Sequence, residues 1–211
     1  MYPIHWAVTN GSIPNIAFLL STALPGHEEE ILEFRDKSGC TPLLVAAQYG
    51  HADVCAFLLK RGADISAIDN SSDGAIHWAS YKGATNVVGL LCYFQASIDD
   101  SDTYGHSPLH LSSLRGHTEV VQYLLEECES RYTGRGHGAK RDHLRSYVLH
   151  HDKDGKTPLN LAIQKNKRGC QSILQEWEDR YRIADLSNTN SHSKFHTVKN
   201  FCKQICSLNV W

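Results

Sequence analysis

Short apolar stripes recur along this chain in a fixed phase, and polar turns separate them in pairs. Three segments make the pattern plain: 39–59, 72–92 and 105–125. Each holds a first run of small and apolar residues, then a glycine, then a second run with apolar residues three and four apart. That spacing predicts two short amphipathic helices per segment. Successive segments are offset by 33 residues, and Asp36, Asp69 and Asp102 keep the same offset ahead of them. Related segments begin at Pro3 and at Gly155, the latter led by Asp152.

Each recurring residue has a local physical reason. An Asp-x-x-Gly run is turn chemistry: the aspartate caps its own backbone and the glycine accepts positive φ. Thr-Pro opens a helix, with Thr41 or Thr157 at the cap and Pro42 or Pro158 in the first turn. The Leu-x-x-Ala-Ala run keeps one face of that helix small, so a neighbour can approach closely. Gly50, Gly83 and Gly116 are placed to end it.

A turn followed by two antiparallel helices every 33 residues resembles the ankyrin repeat, and the five segments quoted above carry that resemblance over residues 1–178. It implies an all-α ankyrin-repeat solenoid of about five repeats, with β-hairpin turns and a helical C-terminal tail. Four places depart from the pattern. The link at 22–34 is long. Gly74-Ala75 stands where Thr-Pro belongs. An insertion occupies 127–151. Asn166-Lys167 replaces Gly-His in the last segment. The insertion is rich in Arg, Lys, His and Gly, and reads as a solvated loop or as a docking arm for an acidic partner or lipid phosphates. Beyond the repeats, 179–193 reads as a polar linker and 194–211 as a basic amphipathic helix, which either caps the stack or lies at a membrane surface.

The chain has thirteen histidines, and the repeat phase absorbs five of them. The resemblance gives His5, His77 and His110 a bridging role between neighbouring hairpins, and His51 and His117 a similar one after the helix-ending glycine. Trp6 and Trp78 follow two of these histidines, inside Ile-His-Trp-Ala runs. The rings either fill space between repeats or present an edge to the concave groove as a peptide anchor. Three residue pairs close the inner helices: Gln48 with Tyr49, Tyr81 with Lys82, and Leu114 with Arg115. In the family these pairs project into the groove. With Trp78 they form the candidate binding site for a protein or an extended peptide.

Composition narrows the function classes. A net charge of −2 exerts no bulk pull toward nucleic acid, and no aromatic residues interleave the basic insertion for base stacking. The seven cysteines lack Cys-x-x-Cys spacing, and several take apolar positions, as expected of free thiols in a reducing compartment. No apolar run approaches the roughly 20 residues of a membrane helix. There is no nucleophile motif, metal-ligand spacing or phosphate loop, so no cofactor is expected. The expectation is a monomeric cytoplasmic interaction module, scaffold or adaptor without its own catalysis. A second expectation comes from the runs around Trp6 and Trp78, above all 76–83. They resemble the ankyrin region of membrane palmitoyltransferases, in which repeats recruit substrate ahead of an Asp-His-His-Cys domain. On that reading this chain is an N-terminal fragment on the cytosolic face of a membrane; where 194–211 is a membrane-surface segment, Cys202 and Cys206 read as sites of acylation.

Overall fold

The computed structural model describes residues 2–22, 28–131 and 137–188. Helices α1 (Pro3–Thr9) and α2 (Ile13–Ser21) form a first pair, followed by the short α3 (Glu28–Leu32). Next come α4 (Pro42–Tyr49) with α5 (Ala52–Lys60), and α6 (Ala75–Lys82) with α7 (Thr85–Tyr93). Then α8 (Pro108–Arg115) pairs with α9 (Thr118–Arg131). After α10 (His137–Val148), α11 (Pro158–Gln164) pairs with α12 (Arg168–Asn188). The first helices of the pairs stack side by side as an inner layer, and the second helices form an outer layer behind them. Among the described residues no β-strand forms. The expected hairpins are tight fingers, with one isolated antiparallel bridge between Ile68 and Gly74.

The inner layer packs closely because its shared faces are small. Ala46, Ala47, Ala79, Ser80, Ser112, Ser113 and Ala162 are all buried. Behind them one continuous apolar core runs from Ile4 to Trp177. Caps follow the sequence signals. Thr41 Oγ1 accepts from Leu44 N at 3.5 Å, and Thr157 Oγ1 from Asn160 N at 3.2 Å. Gly50 and Gly83 end their helices at φ 75°, where a Cβ would be strained. In the last pair Asn166 takes the left-handed conformation, at φ 53°.

Each finger is organised by one aspartate. Oδ1 of Asp36 accepts the N–H groups of Ser38 and Cys40, and Asp69 does the same for Ser71 and Asp73. Asp102 accepts from Tyr104 and His106, and Asp152 from Asp154 and Lys156. Finger tips are chained by backbone bonds: Asn70 N to Ser38 O, Thr103 N to Ser71 O, and Lys153 N to Tyr104 O.

The five repeat-phase histidines join one unit to the next. His77 Nδ1 accepts from Gly74 N at 3.2 Å, which leaves the proton on Nε2, and Nε2 donates to Asp100 O at 3.0 Å. His110 repeats this with Ser107 N and with the carbonyls of His150 and Lys156. His5 Nε2 donates to Cys40 O. His51 and His117 reach backward, to Thr9 O and Tyr81 O. The second unit has Leu44 at the bridging position, and there Arg35 joins the fingers by donating to Gly39 O and Ile68 O.

Two stretches differ from their sequence reading. Within the insertion, 137–148 is helical and packs on α9 and α12, burying Leu144, Tyr147 and Val148. These sit on one face at three-and-four spacing, hidden among basic residues. Arg131 serves the stack: its guanidinium binds Glu127 Oε1 at 2.8 Å and Ala96 O at 2.8 Å. Helix α12 continues through Asn188, so 179–188, read as the start of a linker, is helical. The tail at 194–211 lies outside the described residues. Among those described, no helix is long and apolar enough to cross a membrane.

Two predictions follow from the caps and one from a bridge. Gly74 has φ −85° and ψ 176°, open to any residue, and a Cβ there meets nothing closer than 3.6 Å. Gly74→Ser is expected to raise unfolding free energy by about 0.5–1 kcal/mol in urea titration. At Gly83 a Cβ would lie 2.4 Å from His117 Nδ1, so Gly83→Ala is expected to cost about 1 kcal/mol or more. Burial, reinforced by the neighbouring His150, lowers His110 from 6.5 to about 4. Its folded value lies below its unfolded one. Its contribution is therefore fully present above about pH 6.5 and is lost as pH falls from 6.5 toward 4. About 2 kcal/mol should be gone by about pH 5. His110→Asn, the residue type that the last unit uses as Asn160, should lower stability at neutral pH and flatten this acid limb in pH-dependent denaturation.

Candidate functional site

The fingers project from the ends of the inner helices, and the angle between the two is a groove. There a cavity of about 290 Å³ lies between the second and third fingers and helices α6 and α8. Asp73, Asp102, Tyr104 and His106 line it from the fingers. His77, Trp78, Tyr81, Leu111 and Leu114 line it from the helices.

Trp78 is half-buried and packs against the core, and its indole N–H donates to Asp69 Oδ2 at 3.1 Å. The carboxylate that shapes the second finger therefore also holds the ring. Tyr81 lies one turn further along α6, edge-on to Trp78 with centroids 6.3 Å apart. Arg115 reaches over the Tyr81 ring, with Cζ 4.7 Å from its centroid, and Lys82 Nζ lies 6.0 Å away on the same ring. Leu114 contributes apolar wall.

The structure thus brings together Trp78, Tyr81, Lys82, Leu114 and Arg115. Tyr49 does not join their ring cluster: it is 54% exposed and stacks on His51, centroids 6.3 Å apart. Gln48 is half-buried beside it. The two tryptophans have separate environments. Trp6 is 60% exposed, beside Pro3, Phe18 and Leu19 on the open side of α1 and α2.

Sequence reasoning missed the finger side of the cavity. Asp73 and His106 both stand four residues after the finger aspartate, where Cys40 and Lys156 stand in other units. That position changes chemistry from unit to unit while its backbone role stays fixed, which is the signal that could have singled it out.

The electrostatics of this wall are specific. Asp73 is pushed up to about 7 by burial, then by the Asp102 and Asp69 carboxylates, against the opposing pull of His106. His106 lies between two carboxylates, with Nδ1 3.3 Å from Asp102 Oδ2 and Nε2 3.5 Å from Asp152 Oδ2. The Asp102 hydrogen bond raises its pKa, against burial. Burial would raise Asp102, but hydrogen bonds from the His106 side chain and from the backbone of His106 and Tyr104 hold it below its ordinary value. Elsewhere burial pushes the thiols of Cys40, Cys55 and Cys128 up to about 12, and at neutral pH they remain protonated. All five described cysteines are buried and free, as the sequence led one to expect. Among the described residues no group of three His, Cys, Asp or Glu side chains is arranged to hold a metal ion.

A histidine-resolved NMR titration should separate these environments. His106 is expected to titrate above 6.5, and His77 and His110 below it, since burial lowers both. A reversed order would show that the two carboxylates do not hold the His106 ring.

Comparison with known proteins agrees with the geometry. Over 186 residues the chain is 33% identical to the transient receptor potential cation channel subfamily A member 1 of Drosophila melanogaster, covering 74% of this chain and 15% of the relative. It is 32% identical over 107 residues to the fem-1 homolog A-like protein of Mus musculus, covering 51% and 16%. It is 27% identical over 161 residues to a palmitoyltransferase of Lachancea kluyveri, covering 58% and 21%. The chain spans about a sixth to a fifth of the length of these relatives. The family model for ankyrin repeats, in three copies, matches residues 1–69 and 76–185. With its paired helices, aspartate-built fingers and bridging histidines, the chain belongs to the ankyrin-repeat family.

Proposed function

We propose that this chain is a protein-interaction module that docks an extended segment of a partner protein along the groove. One observation carries the reading: Trp78, Tyr81 and Arg115 form a contiguous aromatic–cationic cluster beside a 290 Å³ cavity on the inner face. Such rings bury large area at little entropic cost, and aromatic and arginine side chains dominate binding energy at interfaces. The groove has two polarities. Asp73 and Asp102 stand at the finger end, and Lys82 and Arg115 at the C-terminal ends of α6 and α8. An eight-residue helix separates these ends by about 12 Å. An extended peptide spans that distance in about four residues.

A second reading makes this the substrate-recruiting region of a protein S-palmitoyltransferase whose catalytic domain lies outside this chain. The similarity to the Lachancea kluyveri enzyme favours it. The similarity to a cation channel and to a fem-1 homolog supports the broader reading, in which the repeat region serves as a binding module in unrelated settings. Under both readings the module recognises protein and has no chemistry of its own. It acts as a monomer on the cytoplasmic side.

The test is site-specific photocrosslinking. A crosslinking residue at Leu114 is compared with one at Tyr93, an 80% exposed position at the end of outer helix α7. Defined adducts enriched at 114 over 93, and reduced at least tenfold by Tyr81→Ala with Arg115→Ala, are expected. Tyr81→Ala is a cleaner probe than Trp78→Ala, because the indole also holds Asp69 and contacts the core. Equal labelling at both positions would refute docking in the groove.

A further inference from the structure

The cavity beside Trp78 has apolar and acidic walls, and one acidic group has no hydrogen-bond partner among the described residues. Asp69 is fully engaged: Oδ1 accepts two backbone N–H groups and Oδ2 accepts from the Trp78 indole. Asp102 is engaged by His106 and by backbone. The Asp73 side chain is different. Its backbone closes the finger, with Asp73 N donating to Asp69 Oδ1 and Asp73 O accepting from Asp69 N. No donor among the described residues reaches its carboxylate, which lines the cavity. The cations nearby are committed elsewhere: Lys82 and Arg115 lie against Tyr81, and His106 lies between Asp102 and Asp152.

We propose that this cavity receives a lysine or arginine side chain of the docked peptide, with the cationic head on Asp73 and the aliphatic stem against Trp78, Leu111 and Leu114. The inference rests on the groove being the docking surface and specifies what one pocket of it selects.

Charge complementarity is the first argument. Asp73 is an unpaired, half-buried carboxylate beside two further carboxylates, and burial with their repulsion raises its pKa to about 7. A cation placed there relieves the repulsion and supplies the missing donor. Shape is the second. Basic side chains lay their methylene stems on apolar surface and keep the head polar, and this cavity offers those two environments in sequence. The Trp78 ring adds apolar, electron-rich surface beside the stem. An acidic side chain would repel Asp73, a neutral polar one would supply a donor without the opposite charge, and an aliphatic one would leave the carboxylate unpaired.

The experiment titrates the full chain with acetyl-Gly-Ala-Lys-Ala-Gly-amide and with its norleucine counterpart, which keeps the stem and removes the charge. NMR follows the Trp78 indole N–H and the Tyr104 amide. The lysine peptide is expected to give saturable shifts and to bind at least tenfold more tightly than the norleucine peptide. Asp73→Asn should abolish that difference while leaving melting within a few degrees, because the Asp73 carboxylate holds no part of the finger. Equal affinity for both peptides, an unchanged lysine affinity in Asp73→Asn, or no saturable shift up to about 10 mM would each overturn the proposal. So would saturation of the same signals by Ca²⁺ or Mg²⁺ alone. The crosslinking comparison at positions 114 and 93 keeps the two claims apart. Groove adducts that persist unchanged in Asp73→Asn would sink the basic-pocket assignment and leave peptide docking standing. Loss of groove selectivity would sink the docking reading itself.

Discussion

One carboxylate oxygen in each finger accepts two backbone N–H groups, and much of the structure is built outward from that arrangement. The Oδ1 atoms of Asp36, Asp69, Asp102 and Asp152 each accept from the N–H four positions on and so close a five-residue turn. Carbonyls of the closed turns and of the residues just ahead of them then face the neighbouring unit, where a histidine or an arginine donates to them. A lone finger would leave these carbonyls to water. Stacking satisfies them, so each unit depends on the next for its polar groups as well as for its apolar face.

Two of the bridging rings, His77 and His110, work only when neutral. His77 and His110 each use one nitrogen as acceptor and the other as donor, and a second proton would remove the acceptor. Burial favours the form that the bridge requires. At His77 and His110 the hydrogen bonds fix the tautomer, and burial lowers the pKa of both rings, so these two histidines serve the stack. His106 is the counter-example. It lies between two carboxylates that favour its charged form, and it neutralises part of the wall on which Asp73 remains unpaired.

The groove inherits its asymmetry from the direction of the inner helices. They start at the fingers and end at the glycine turns, so finger residues set one rim and helix-end residues the other. Asp69 links the two by holding both the finger and the Trp78 indole. A ligand that straddles the groove meets carboxylates first and then an aromatic surface carrying Arg115.

The repeat itself was legible from residues alone. Turn, cap and stop signals have local causes and recur in phase, which is why Asp36, Thr41, Gly50 and Gly83 behave as their types predict. The bridging histidines were legible through the repeat that those signals identify. The helix at 137–148 was not, because three apolar residues among basic ones specify a helix only when α9 and α12 supply a face to bury them. The separate environments of Trp6 and Trp78 were also out of reach: the same local run is exposed in one place and tied to Asp69 in the other. Asp73 shows the limit most clearly. Its sequence position fixed only its backbone, while its unpaired carboxylate is a product of which side chains the neighbouring fingers and helices bring to one cavity. Local chemistry determined the units of this protein, and long-range packing between units decided what their shared surface presents.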